Sequence, residues 1–191
     1  MNRKTLFAGL ALLALTGCGG RDAGESAVDY SIYQGAEMAR LALALNPAPA
    51  RVLLLGYNTP TGNEFLSGVM KSCAEELAVR KVPVATALVE ADLMALQTGR
   101  SGIAPADVEK ALRTYPGSDT VISFAGLPQA ASVADGPRWV VLSSDPLAAR
   151  QAVESGRVRI AVFPRMGPPV AGSREKAADR FAAEYEVLRA P

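Results

Sequence analysis

Residues 51–77, RVLLLGYNTPTGNEFLSGVMKSCAEEL, read as a buried strand, a polar loop and a helix. The run 52–55 is apolar without interruption, the pattern of a strand covered on both faces. Gly56 breaks that run, and 57–63 supplies Asn, Thr, Pro and Gly, residues that favour turns. Thr61, followed three residues on by Glu64, has the spacing of a capping box and starts a helix. Leu66, Val69, Met70, Cys73 and Leu77 then recur at helical intervals along one face.

On the N-terminal side, 29–45 reads as a helix with Ile32, Ala36, Ala39 and Leu43 on one face and Gln34, Glu37 and Arg40 elsewhere, stopped by Asn46-Pro47. On the C-terminal side, 82–89 is rich in β-formers, with Pro83 at a strand start or sheet edge. Residues 91–102 are ambiguous between a helical turn and a loop. Pro105 opens a helix that carries Val108, Ala111, Leu112 and Tyr115 and ends at Pro116-Gly117. Further strands follow at 120–125, 138–142 and 158–163, with a helix at 147–154 closed by Gly156. A final amphipathic helix places Phe181, Tyr185 and Leu188 on a shared face. Five short strands alternating mostly with helices define an α/β fold. With right-handed crossovers, the expectation is a three-layer, doubly wound, mainly parallel five-stranded sheet of flavodoxin-like order with helices on both faces. A differently ordered three-layer sandwich is the alternative. No repeat or second domain is marked, so 29–191 reads as a single α/β domain.

The chain begins MNRKTLFAGLALLALTGCGG: Arg3 and Lys4 are followed by an apolar segment, 6–15, well short of the roughly 20 residues of a bilayer-spanning helix. Its end, Leu15-Thr16-Gly17-Cys18, resembles a bacterial lipobox. The resemblance implies a signal peptide over 1–17, a diacylglyceryl thioether and an N-acyl chain on Cys18, and stable anchoring by several acyl chains. An ordinary secretory peptide with a chance cysteine is the alternative. Residues 18–28 would then be lipidated Cys and flexible tether, since Gly, Ser and small polar residues dominate there. Gly19 after the cysteine resembles the outer-membrane default of enteric-type sorting, so the expected location is the cell envelope, facing periplasm or exterior.

Removal of Arg3 and Lys4 from 20 basic residues set against 19 acidic ones leaves a nearly neutral chain, with no reason to expect nucleic acid. With Cys18 lipidated, Cys73 has no partner for an internal disulfide. The absence of histidine removes the commonest general base and metal ligand. No metal cluster or cofactor motif appears, and Ser143 and Ser144 lack a nucleophile-elbow context, so no enzyme is expected.

Three stretches resemble the C-terminal lobe of the type I periplasmic binding proteins, the superfamily of sugar-binding proteins and repressor ligand domains. YQGAEMARLALAL running into RVLLLG is similar to the family's leading helix and first lobe strand. Residues 105–125 are similar to its helix-to-strand step, and WVVLSSDPLAARQAVESGRVRIAVFP to its strand, Asp, helix, glycine and last strand ending in proline. The resemblance implies a small polar ligand or a membrane-protein partner. Family members have two lobes, whereas this length suits one; a homodimer would restore a cleft. Leu127-Pro128 stands where the family carries an Asn-Asp pair, and Phe163 where it carries a polar residue, leaving Asp145 as the matching site position.

Asp145 at a strand exit can accept two sugar hydroxyls, or cap the helix that Pro146 begins. Asn58, Thr59, Thr61 and Asn63 offer donors and acceptors to a ligand, or serve ordinary turn chemistry; 56–62 is not a phosphate loop. Cys73 reads as a small buried hydrophobe and Arg165 as a solvated loop charge. Asn58, Thr59, Asn63 and Asp145 are therefore the candidate ligand residues. The competing function is a structural or interaction lipoprotein without a small-molecule ligand.

Overall fold

The computed structural model describes residues 27–58, 64–90, 102–129, 136–166 and 177–191. In chain order they form α1 (Ala27–Leu43), β1 (Val52–Asn58), α2 (Glu64–Val79), β2 (Val84–Glu90), β3 (Gly102–Ile103), α3 (Pro105–Thr114) and β4 (Thr120–Ser123). Then come β5 (Leu127–Pro128), β6 (Arg138–Leu142), α4 (Pro146–Glu154), β7 (Ile160–Pro164), α5 (Ala177–Glu184) and β8 (Tyr185–Arg189).

The main sheet has the order β2-β1-β4-β6-β7-β8. Its first five strands are mutually parallel, in the flavodoxin-like order expected from the sequence. Val52 to Leu55 are at most 1% exposed and alternate between two cores, as a doubly covered strand must. Val52 and Leu54 join Met38, Ala42, Val69, Cys73, Leu77 and Phe181 beneath α1, α2 and α5. Leu53 and Leu55 join Val108, Ala111, Trp139, Ala152 and Phe163 beneath α3 and α4. Helices therefore cover both faces.

The structure corrects the sequence reading in four places. Gly56 does not end β1: the strand continues to Asn58, in register with Leu88, Val89 and Glu90 of β2. A Cβ on Gly56 would strike the Met70 sulfur, so this glycine lets α2 pass close over the strand. The apolar stripe on α1 is rotated from the expected one. Ile32 is 48% exposed, while Ser31 and Gln34 are buried. The cause is a tight crossing with α2, where a Cβ on Gly35 would strike the Val69 carbonyl and one on Gly68 would lie 2.9 Å from Ser31 Oγ.

The third correction is the tail. The helix ends at Glu184, and Tyr185–Arg189 forms a sixth strand, antiparallel to β7. Tyr185 does stack on Phe181 at 5.0 Å, but Leu188 packs into the opposite core. An unpaired β7 would expose a row of backbone donors and acceptors, and the Tyr and Val of this segment suit a strand. Tyr30 Oη donates to Glu184 Oε2 at 3.0 Å and Arg180 lies over the Tyr30 ring at 3.9 Å, tying the tail to α1. Arg150 pairs with Glu186 at 2.6 Å and ties it to α4. Fourth, Leu127-Pro128 pairs with Gly102-Ile103 as a small parallel sheet beside the main one.

Candidate functional site

In an open parallel sheet the loops after the strand carboxyl ends form the ligand edge, and the order reverses between β1 and β4. Asn58 closes β1 at this edge, exposed, with Nδ2 donating to Glu90 Oε1 at 3.1 Å. Thr59, Thr61 and Asn63 lie outside the described residues, between Asn58 and Glu64. Asp145 follows β6, half-buried, and its Oδ1 accepts the Ala148 N–H at 3.0 Å, which makes it the N-cap of α4. Ser143 Oγ accepts the Asp145 N–H at 3.1 Å and fixes that turn. Asn58 and Asp145 share the edge but do not meet, because β4 lies between their strands, a lateral separation of roughly 10 Å at ordinary strand spacing.

The gap between them is lined at its base by an apolar turn. Ser123, Phe124, Ala125 and Leu127 are all buried, and Ser123 Oγ both accepts from Ala125 N–H at 3.2 Å and donates to the Gly126 carbonyl at 2.7 Å. Gly126 takes φ +90°, a left-handed conformation that an L side chain resists, and this turn feeds β5. Beyond β7, Arg165 Nε donates to the Ala182 carbonyl at 2.9 Å and so braces α5.

The opposite, amino-terminal edge carries features that sequence reasoning missed. Asp119 accepts from the Ala50 N–H at 3.0 Å, from the Arg51 N–H at 3.3 Å and from Arg138 at 3.2 Å. Arg138 also donates to Thr120 Oγ1 at 3.1 Å and to the Pro47 carbonyl. These bonds pin the loop between α1 and β1. Partial desolvation pushes the Asp119 carboxyl up, but the two backbone donors, Arg138 and Thr120 together outweigh it and hold it below its ordinary value. Beside this loop lies a cleft of about 610 Å³ lined by Arg40, Leu43, Pro49, Glu76, Arg80 and Val82. The residues come from α1, α2 and the two loops that follow them, so no local sequence signal announces them.

Elsewhere, burial pushes the Cys73 thiol well above its ordinary range, with Glu76 adding to the shift, as suits an inert core residue. Among the described residues, no group of His, Cys, Asp and Glu has an arrangement that could hold a metal, and no helix is long and apolar enough to cross a membrane.

No protein-family model matches the chain, and no curated protein matches it. Solved structures do, and several of them are periplasmic solute-binding proteins or a related regulator with a similar fold. An ABC-transporter solute-binding protein from Burkholderia graminis, in complex with D-arabinose, matches with a TM-score of 0.52 at 15% identity over 83% of this chain and 59% of its own. A second, from Agrobacterium vitis and bound with alpha-D-tagatopyranose, matches at 0.51 and 17% identity over 70% of this chain and 45% of its own. A LacI-type transcriptional regulator from Bacteroides fragilis matches at 0.50 and 10% identity over 80% of this chain and 50% of its own. The chain thus spans about half the length of the structures it matches. At these identities the likeness is one of fold.

The Asp119 geometry has a pH signature. A carboxyl held below its unfolded value adds stability that is present above roughly pH 4 and lost as pH falls through the folded value. Asp119→Asn should therefore lower the urea midpoint at pH 7 and lie closer to wild type at pH 3. A deficit that does not change with pH would contradict this role.

Proposed function

We propose that the chain is a lipid-anchored envelope lipoprotein whose single solute-binding-like lobe, 29–191, receives a small polar ligand at the carboxyl edge of its sheet. In this reading 1–17 is a signal peptide, Cys18 carries the lipid, and 18–28 contains the tether that leads into α1. One observation carries the ligand part: the parallel β1-β4-β6 core with its order reversal, in a fold shared with structures whose ligands are sugars. Asn58 and Asp145 flank the reversal, and Thr59 and Asn63 belong to the connection that leaves β1. Asp145 Oδ1 is committed to the Ala148 N–H, which leaves its second oxygen to accept a hydroxyl. The role is binding rather than catalysis.

A second reading, a lipoprotein that docks another envelope protein or a second copy of itself, is favoured by a different observation. Phe124, Ala125 and Leu127 give the middle of the edge an apolar base, and Phe65, Leu147 and Met166 near its rim are 46%, 67% and 79% exposed.

Cys18→Ser should release the protein from membranes; a variant that still pellets with membranes, with no lipid mass on residue 18, would refute anchoring there. The released form then serves for ligand tests. Aldopentoses and ketohexoses should raise its melting temperature, because a ligand at 100 times Kd adds about 2.7 kcal/mol. Asp145→Asn keeps an N-cap of comparable strength but removes the carboxylate, and should abolish the rise with little change in unliganded stability. If no sugar shifts wild type, the docking reading replaces this one.

A further inference from the structure

The cleft at the amino edge lies at the opposite end of the strands from the proposed ligand edge, and it has the parts of a binding site in its own right. Its volume of about 610 Å³ is within the usual range for small-molecule sites, roughly 300–1,000 Å³. One wall is apolar: Leu43 at the end of α1, Pro49 in the loop before β1, and Val82 at the approach to β2. That loop does not need to be ordered by a ligand, because Asp119 and Arg138 already hold its backbone at Ala50, Arg51 and Pro47.

The charged lining divides into committed and uncommitted groups. Arg40 is committed: Nε lies 3.5 Å from Glu76, Nη1 lies 3.5 Å from Glu37, and its guanidinium sits 5.9 Å from the Tyr33 ring centre. Glu76 thereby shares the single Arg40 charge with Glu37. Arg80 is exposed and has no carboxylate within ion-pair distance among the described residues. A helix C-terminus repels anions through its free carbonyls. Here the α2 end is capped: the Arg80 and Val82 N–H groups donate to the Leu77 carbonyl and the Lys81 N–H to that of Ala78, with Lys81 in the left-handed conformation at φ +57°. Among the described residues that line the cleft, this leaves Arg80 as a guanidinium outside any ion pair, beside an apolar wall.

We infer that the amino-edge cleft binds a small carboxylate bearing an apolar group, with Arg80 holding the carboxylate and Leu43, Pro49 and Val82 packing the apolar part. An arginine fork matches a carboxylate through two parallel N–H donors, a geometry that lysine cannot reproduce. This site stands apart from the proposed sugar edge: neither depends on the other.

The test is amide chemical-shift mapping on the Cys18→Ser protein, with phenylacetate as the probe and phenylacetamide as its uncharged counterpart. Phenylacetate should cause saturable shifts at Leu43, Ala44 and Val82 and none at Asn58 or Asp145. Arg80→Gln, an exposed substitution, should weaken binding about tenfold while leaving the rest of the spectrum in place, the size expected for one charge-assisted contact near the surface. Arg80→Lys should fall between the two, and phenylacetamide should bind wild type no better than phenylacetate binds Arg80→Gln. Equal affinity for acid and amide, insensitivity to Arg80→Gln, or no shift around the cleft at millimolar phenylacetate would each overturn the inference.

Discussion

The fold depends on a strand that is buried from both sides. Val52, Leu53, Leu54 and Leu55 are almost completely removed from solvent, and they feed two cores in strict alternation. Burying each such side chain contributes about 1.5–3 kcal/mol, and nothing polar intervenes over these residues. β1 also holds the position where strand order reverses, with β2 on one side and β4 on the other. Its carboxyl end sets one edge of the molecule at Asn58 and its amino end sets the other at Arg51, so a shift of β1 by one residue would exchange the two cores and misplace both edges.

The two edges are built by different means. The carboxyl edge is assembled locally: Asp145 caps the helix that follows it, Ser143 fixes the turn just before it, and Ser123 closes the turn that carries Phe124 and Ala125. The amino edge is assembled at a distance, with Asp119 and Arg138 reaching the backbone of a loop that belongs to α1 and β1. At the carboxyl edge stand a carboxylate, Asp145, and an amide, Asn58, the groups that the proposed function assigns to hydroxyl recognition. The amino-edge cleft offers Arg80, which has no ion-pair partner among the described residues, and an apolar wall. The two ends of the same strands are therefore chemically distinct.

Much of this was legible in the sequence because the signals were short-range. The apolar run at 52–55, the helical spacing from Leu66 to Leu77, Pro105 and Pro146 at helix starts and Gly156 past a helix end each act within a few residues. What was not legible came from contacts between elements. Gly56 looks like a strand breaker until Met70 is placed above it, and Ile32 looks buried until the close approach of α2 turns Ser31 and Gln34 inward. Tyr185 and Leu188 fit a helix face equally well; the unpaired side of β7 decides for a strand. Asp145 could be found from its place at a strand exit, whereas Asp119 and Arg138, nineteen residues apart on neighbouring segments, give no local pattern.

Native-state hydrogen exchange on the Cys18→Ser protein tests the central place of β1 most directly. The amides of Leu53, Leu54 and Leu55 should be among the slowest in the chain and exchange only through global unfolding, with β8 and the β3–β5 pair opening earlier. Exchange of these β1 amides through a local opening, while β6 and β7 stay protected, would contradict it.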